Sequence, residues 1–284
     1  MTSHDVVSRL RKIAGERSIG HLGTLDPMAT GVLPLLIGKF TRLAQYFSAD
    51  EKSYTGAIRF GFATDSYDVD GEAAGPDQCP EAAGTVTLER VRMAAARFVG
   101  ESEQMPPPFS AKKIDGKPAY KLAREGKPVE LKKARIRIGA LEIVGMEGAE
   151  ASFAIDISSG GYVRSVAHEL GQELGCGAHL SRLRRTRAGA FTLDEAHPLE
   201  EIEALAENAE ALESLCVHPR ALLPEMPAVT GDSQALGKLR NGAQANLPEF
   251  SQAPMVKVFA SQREMVGIAR RVAGTLFQPV VVMG

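Results

Sequence analysis

The chain has 284 residues, and its 44% hydrophobic and 24% charged content is typical of a folded globular protein rather than a disordered one. A formal net charge of -2 excludes a uniformly basic nucleic-acid binder, and no apolar run approaches the ~20 residues that cross a bilayer. The three cysteines lack the spacing of a metal site or a disulfide framework, so we expect a cytoplasmic protein without a bound metal.

The N-terminal segment predicts a helix that leads into an irregular loop. Val6, Leu10 and Ile13 recur at helical spacing, and a Thr-Ser pair before them can cap the first turn. Residues 20–34, with the sequence GHLGTLDPMATGVLP, are too rich in glycine and proline for a regular helix or a central strand.

This loop carries a single carboxylate, Asp26, among apolar residues that we expect to hold it against a core. The residues alone leave two interpretations open. Asp26 is a functional carboxylate presented by a rigid loop, or its Asp-Pro pair is ordinary turn chemistry.

The next segments predict a strand, a turn and a helix. Residues 54–62 are rich in β-forming side chains and partly alternate, which predicts a strand. Residues 65–72 contain three aspartates, but no glutamate stands at the twelfth position of a calcium loop, so we predict a solvated turn. A helix is expected from Leu88 to Phe98, with Thr87 before it and Gly100 after it.

Basic side chains are concentrated in two places. Residues 112–137 hold ten Lys or Arg against three acids, and residues 182–187 hold four arginines. A solvated basic face and a surface for nucleic acid are both compatible with this pattern. The candidates for contact with an RNA backbone are Lys112, Lys113, Lys117, Arg184 and Arg185.

The middle of the chain predicts three strands followed by a helix. The strands are expected at residues 134–138, 141–144 and 151–157, and the last alternates so that one face is apolar. Residues 162–174 predict a helix that ends at Gly175. Tyr162 and Arg164 therefore stand at a strand-to-helix junction.

The C-terminal third predicts an acidic helix, a linker and a small β module. Residues 194–213 contain eight acids and no Lys or Arg, so residues 194–215 are expected to form a solvent-facing helix. Residues 219–227 are proline-rich, which is typical of a linker. We predict an α+β domain at 1–222, with a mixed, largely antiparallel sheet and flanking helices, and a β module at 226–284.

Several separated motifs resemble one known family, the bacterial tRNA pseudouridine-55 synthases of the TruB type. Residues 20–33 match the pattern G-H-x-G-T-L-D-P-x-A-x-G-V-L at every fixed position. Residues 106–116 resemble P-P-x-Y-S-A-x-K-x-x-G, with Phe109 in place of tyrosine. Residues 160–165 resemble G-T-Y-I-R-S, with Gly161 where threonine is usual.

The resemblance implies a role for individual residues. Asp26 corresponds to the catalytic aspartate, and His21 to a residue that holds the RNA with its target base flipped out. Tyr54 corresponds to the tyrosine that stacks on the target base, and Leu183 to an apolar substrate contact. Tyr162 has a side chain suited to holding the extruded base, and we expect Arg164 to pair with Asp26 and keep it ionised.

The same resemblance implies the function. It implies isomerisation of uridine to pseudouridine at position 55 in the T loop of tRNA, without a cofactor, by a monomer with a PUA-like RNA-binding module. Two rival functions remain open. One is an RNA-binding or tRNA-folding protein without turnover. The other is a hydrolase that uses Asp26, which we disfavour because a glycosidase needs a paired acid and the loop offers one carboxylate.

The resemblance also concerns the N-terminus. Family members usually carry a short apolar strand and a Lys-Pro-x-Gly turn before the Thr-Ser pair that stands here at residues 2 and 3. We expect the native protein to have roughly twenty to thirty further residues, the length of a strand and its turns, encoded upstream.

Overall fold

The computed structural model describes most of the chain, namely residues 1–78, 84–109, 113–114, 117–118 and 132–283. The chain divides into two compact units. The first comprises Met1–Ser3, Gly23–Pro34 and Ser48–Ala196, and the second comprises His4–Leu22, Leu35–Phe47 and His197–Gly284. The domain boundary that the sequence suggests near residue 222 stays a prediction.

Helices and strands both occur along the whole described length of the chain. The α-helices are α1 (Ser3–Ile13), α2 (Leu88–Ala96), α3 (Val163–Glu173), α4 (Leu199–Ala204), α5 (Ala209–Ser214) and α6 (Ser233–Arg240). Short 3-10 helices occupy Gly38–Tyr46, Leu193–Glu195 and Pro219–Ala221. The strands before residue 120 are β1 (Ile19–His21), β2 (Thr30–Gly31), β3 (Leu35–Ile37), β4 (Lys52–Phe60), β5 (Phe62–Thr64), β6 (Ala73–Gln78), β7 (Gly100–Gln104), β8 (Lys113–Ile114) and β9 (Lys117–Pro118). The later strands are β10 (Ala134–Glu147), β11 (Glu150–Ile157), β12 (Ala178–Ala188), β13 (Phe191–Thr192), β14 (Ala228–Thr230), β15 (Ala245–Asn246), β16 (Met255–Phe259), β17 (Met265–Ala273) and β18 (Leu276–Val282).

The first unit is built on a seven-stranded sheet with the strand order β13-β12-β4-β11-β10-β7 and with β2 beside β12. The pairs are antiparallel except for β2 with β12, which run parallel. Helix α2 lies against β10, helix α3 lies against β12, and the two helices touch each other. The predicted α+β class with a mixed, largely antiparallel sheet is confirmed.

The core of this unit lies between the helices and one face of the sheet. Strand β11 alternates as predicted, so that Phe153, Ile155 and Ile157 are buried and the side chains between them lie on the other face. Val91 of α2 and Leu170 of α3 are buried in the same cluster. Apolar burial on one face of the sheet therefore fixes both the strand register and the face that the helices cover.

Two predicted element boundaries were wrong. The strands expected at 134–138 and 141–144 form one strand, β10, because Gly139 stands at a register shift against β11 and does not end the strand. The acidic segment forms two short helices, α4 and α5, instead of one, and both are exposed.

The second unit contains a five-stranded sheet with the order β14-β16-β17-β18-β15. This sheet is the predicted C-terminal β module, and the Asp232 side chain caps α6 by accepting from the Ala235 amide at 2.7 Å. The predicted linker packs onto this sheet, since the buried Lys257 ammonium donates to the carbonyls of Arg220 and Leu222 at 2.7 and 2.5 Å. Helices in the described ranges all fall short of the length and apolarity that a membrane span requires.

Candidate active site

The Asp26 loop is fixed by contacts at several points within the first unit. Asp26 begins a turn that closes with the Ala29 amide donating to the Asp26 carbonyl at 2.9 Å. The Leu25 amide donates to the Ser3 hydroxyl at 2.9 Å. Gly31 has a φ of +101°, and a Cβ there would lie 2.1 Å from the carbonyl oxygen of Arg185. Glycine is therefore required where β2 meets β12.

The Arg185 side chain binds the backbone of this loop at two separate points. Its side chain is 0% exposed, and it donates to the carbonyls of Val32 at 2.7 Å and Gly23 at 3.1 Å. The prediction that Arg185 contacts the RNA backbone was therefore wrong in its placement, because a side chain without exposed surface does not face a phosphate. The neighbouring Arg184 is exposed and keeps that predicted role.

Arg164 pairs with Asp26 through a bidentate contact. Its Nε donates to Asp26 Oδ2 at 3.0 Å and its Nη2 to Asp26 Oδ1 at 2.7 Å. The Arg164 side chain is 6% exposed, whereas Asp26 keeps 27% of its side chain accessible. A parallel fork of this kind fixes the plane of a carboxylate as well as its charge.

The remaining N–H groups of Arg164 also have protein partners. Nη1 donates to the Ser66 carbonyl at 3.0 Å, and Nη2 donates to the Phe109 carbonyl at 3.0 Å. Nη1 also lies 3.5 Å from Oδ2 of Asp68. Each nitrogen of the guanidinium thus has an acceptor in the protein, which leaves this side chain poorly suited to grip an RNA phosphate.

Asp68 is a site residue that the sequence reasoning missed. The prediction of a solvated turn was wrong for this position, because Asp68 is buried and its Oδ1 accepts from the Ser66 hydroxyl at 2.6 Å and the Asp70 amide at 3.1 Å. The sequence shows three closely spaced aspartates in residues 65–72. The same pattern occurs in a turn whose carboxylates all face solvent and in a turn that buries one of them.

The start of α3 is anchored by the last residue of β7 and by the residue that follows it. The Gln104 side chain accepts from the Tyr162 amide at 2.8 Å and donates to the Tyr162 carbonyl at 3.1 Å. The Ser165 hydroxyl donates to the Met105 carbonyl at 2.7 Å. These bonds fix the helix end that presents Arg164.

Burial and neighbouring charges act on the ionisable groups of the site. The pKa of Asp26 lies above its usual value, because burial raises it more than the Arg164 guanidinium and its hydrogen bonds lower it, and the Asp68 charge raises it further. Burial also raises the pKa of Tyr54, while Arg185 lowers it and the Asp26 charge raises it. The Tyr54 hydroxyl therefore lies within electrostatic reach of both Arg185 and Asp26.

The other predicted site residues are distributed over several elements. Tyr54 lies on β4, Tyr162 immediately precedes α3, and Leu183 lies on β12 in the buried core. His21 lies on β1 opposite Leu35, in the second compact unit. Lys112 and the side chains of Lys113 and Lys117 lie outside the described residues. Among the described residues, no group of three His, Cys, Asp or Glu side chains is placed to hold a metal ion.

Comparison with known families identifies the family of this chain. The profile of the TruB family pseudouridylate synthase N-terminal domain matches residues 11–163, more than half of the chain. The chain belongs to the TruB family of pseudouridine synthases. The profile of the tRNA pseudouridylate synthase B C-terminal domain matches residues 164–224 of this TruB chain. As a TruB enzyme, the protein is an isomerase.

Individual TruB relatives agree with this assignment, and a solved structure has the same fold. The tRNA pseudouridine synthase B of Solibacter usitatus is 43% identical over 285 residues, covering 99% of this chain and 96% of the relative. The tRNA pseudouridine synthase B of Opitutus terrae is 47% identical over 204 residues, covering 72% of this chain and 83% of the relative. The crystal structure of a Cbf5-Nop10-Gar1 complex contains a chain with the same fold, with a TM-score of 0.70 at 22% identity, covering 100% of this chain and 82% of that one.

Proposed function

We propose that this enzyme converts the uridine at position 55 in the T loop of tRNA into pseudouridine, with Asp26 as the nucleophile. The observation that carries the proposal is the Asp26 carboxylate, which stays accessible while Arg164 holds both of its oxygens. The relatives in Solibacter usitatus and Opitutus terrae are tRNA pseudouridine synthases by name, which supports tRNA as the substrate class. Position 55 rests on the resemblance of the motifs.

The proposed reaction is balanced without a further reactant. The N1–C1′ glycosidic bond breaks, the uracil rotates, and a C5–C1′ bond forms, so that C5 loses a proton and N1 gains one. Reactant and product are isomers, and no electrons are exchanged with an outside group. A carboxylate nucleophile suits chemistry at a glycosidic bond, and we expect Asp26 to act without a cofactor.

Asp26 has to be ionised to act as a nucleophile. Burial opposes ionisation, and the charge and paired hydrogen bonds of Arg164 favour it. Because Arg164 has its other donors bound to Ser66 and Phe109, the guanidinium is held in one orientation. We therefore assign Arg164 to orienting and ionising Asp26.

The target base has to leave its stack to reach Asp26. Enzymes that act on a base extrude it and hold it by aromatic stacking and apolar contacts. Tyr54 has an aromatic side chain suited to this role, and its hydroxyl is within electrostatic reach of Asp26 and Arg185. The roles of His21, Tyr162 and Leu183 in holding the RNA stay predictions.

The hydrolase alternative is weakened by the environment of Asp68. A glycosidase needs a second carboxyl group presented to the substrate. Asp68 is the other carboxylate beside Arg164, but it is buried and bonded to Ser66 and to the Asp70 amide. It is therefore placed to support Arg164 rather than to protonate a leaving group.

We also propose how the rest of the chain serves the reaction. The five-stranded C-terminal sheet acts as a PUA-like RNA-binding module at residues 226–284, beside a catalytic domain at residues 1–222. The enzyme works as a cytoplasmic monomer on the T-arm stem-loop. The small mixed sheet of β14 to β18 supports the assignment of the module.

The proposal is tested with Asp26→Asn, which keeps the shape of the side chain and removes its charge. Conversion of a T-arm stem-loop at position 55, measured in a single turnover, should fall by at least about a thousand-fold while RNA affinity persists. Asp70→Asn is the matched control, because Asp70 is an exposed aspartate that should tolerate the same change. Retained turnover by pure Asp26→Asn protein, or binding of wild-type protein without conversion, would refute the assignment.

A further inference from the structure

Two aromatic rings form a stack that the proposed chemistry does not use. The rings of Tyr67 and His168 lie with their centroids 3.8 Å apart and their planes 7° from parallel. Both residues are half-buried. Tyr67 belongs to the turn of residues 65–72, and His168 belongs to helix α3.

The stack joins the same two elements that meet at Arg164. His168 follows Arg164 by four residues on α3, so their side chains lie on one side of the helix, one turn apart. Ser66 and Asp68, which flank Tyr67, contribute a carbonyl at 3.0 Å and a carboxylate at 3.5 Å to Arg164. Residues 65–72 thus contact two successive turns of α3, through polar contacts at Arg164 and through a ring stack at His168.

Tyr67 holds an unusual backbone conformation. Its φ of +66° lies in the left-handed region, which residues other than glycine adopt rarely and keep only when their surroundings fix it. The Tyr67 amide donates to the Thr64 carbonyl at 3.2 Å, and the Tyr67 carbonyl accepts from the Leu180 amide at 3.0 Å. This conformation lets groups on both sides of Tyr67 meet the same guanidinium.

We propose that the Tyr67–His168 stack is a positioning device that holds residues 65–72 against α3 and thereby fixes Arg164 on Asp26. The inference rests on the proposed function, because it concerns how Asp26 is oriented for that reaction. Neither ring is assigned a contact with the reacting atoms. Tyr67 and His168 are therefore positioning residues, which act through Arg164.

The test compares the loss of a ring with its replacement. His168→Ala removes the stack, and saturated turnover on the T-arm stem-loop should fall between about ten-fold and a hundred-fold, the cost of a misplaced reacting group, with the Kd for RNA unchanged. His168→Phe keeps a ring and should retain most of the turnover. Gln172→Ala changes an exposed residue of the same helix and should behave as wild type.

A second variant covers the case in which His168→Ala does not fold. Tyr67→Gly removes the other ring, and glycine adopts a positive φ without strain, so the variant separates the stack from the backbone conformation. Turnover should again fall at unchanged RNA affinity. Hydrogen exchange of the Leu180 amide, which donates to the Tyr67 carbonyl, should become faster in both ring-deletion variants.

Several results would overturn the inference. They are wild-type turnover in His168→Ala or Tyr67→Gly, an effect confined to RNA affinity, and a His168→Phe variant as defective as His168→Ala. Asp26→Asn is assayed in parallel. If wild-type protein converts the uridine and Asp26→Asn does not, the proposed function stands whatever the ring variants do. If wild-type protein does not convert it, the proposed function fails, and exchange at Leu180 still tests the stack.

Discussion

At the scale of single residues, the site is a cluster of opposite charges under a partly exposed carboxylate. Asp26 and Asp68 share Arg164, while Arg185 adds a second positive charge whose effect lowers the pKa of Asp26. Removing one partner from a buried ion pair commonly costs about 3–5 kcal/mol of stability, because the other charge is left uncompensated. Tests of Arg164 therefore need a substitution that keeps its charge.

Arg164→Lys keeps the positive charge and loses the planar fork. We expect saturated turnover to fall between about ten-fold and a hundred-fold, because a lysine does not hold both oxygens of Asp26 in one plane. The salt dependence of RNA binding should stay unchanged, since the guanidinium is bound by protein acceptors. The measurement is single-turnover conversion together with RNA binding over a range of salt concentrations.

Arg184→Ala provides the contrast on strand β12. Arg184 is exposed, and its loss should flatten the salt slope by about one if it contacts one phosphate. The assignment of Arg164 would be wrong if Arg164→Lys flattened the salt slope and left saturated turnover normal. Arg164 would then be a residue that contacts an RNA phosphate.

The sequence is informative about single residues where a motif fixes both identity and neighbours. Asp26 and Arg164 were found because each stands in a distinctive pattern, and the structure brings their side chains together. Asp68 and Arg185 were misplaced for a common reason. A charged residue in a polar turn or an arginine-rich strand gives the same signal whether it faces solvent or turns inward, and only tertiary packing decides between the two.

At the scale of elements, the helix of the site can be predicted from local sequence patterns, whereas the loop is fixed by tertiary contacts. Helix α3 and strand β11 follow from apolar periodicity, which the sequence displays directly. Strand β2 has two residues and no periodicity, and its pairing with β12 depends on Gly31 fitting against the Arg185 backbone. The sequence predicts an irregular loop there, but not the strand that anchors it.

Helix α3 also carries an ionisable group whose environment makes stability depend on pH. Burial raises the pKa of Glu169 to about 7, and the Lys133 charge opposes the shift. In the unfolded chain a glutamate has a pKa of ~4.3. Between these values the folded protein binds more protons than the unfolded chain, so the contribution of Glu169 to the free energy of unfolding is lost as the pH rises through about 7.

Glu169→Gln should remove this dependence. Relative to wild type, the variant should gain stability between pH 5 and pH 8, because wild type alone has to ionise a half-buried carboxyl group over that interval. Urea denaturation at the two pH values measures the difference. Glu142→Gln, at an exposed position on β10, is the matched control. An equal change in both variants would show that the effect does not come from Glu169.

At the scale of the whole molecule, opposite charges are segregated along a chain that is nearly neutral. Ten basic residues fall in residues 112–137, and eight acids without a Lys or Arg fall in residues 194–213. Many of the acidic residues are on exposed short helices, α4 and α5. An acidic surface of this kind repels a phosphate backbone, whereas a basic segment attracts one. A net charge alone does not reveal this segregation.

The basic segment is expected to grip the RNA backbone rather than to read its sequence. Replacing Lys112, Lys113 and Lys117 by alanine should weaken binding to all RNA sequences alike, and the salt slope should flatten by about one for each phosphate contact that is lost. Saturated turnover should change little, because the Asp26–Arg164 pair is untouched. Adding the same number of glutamates to α4 and α5 is the control, since it lowers the net charge equally at another surface. If both variants lose affinity for RNA to the same extent, the effect comes from net charge. If neither variant loses affinity, the three lysines face solvent and do not contact the RNA.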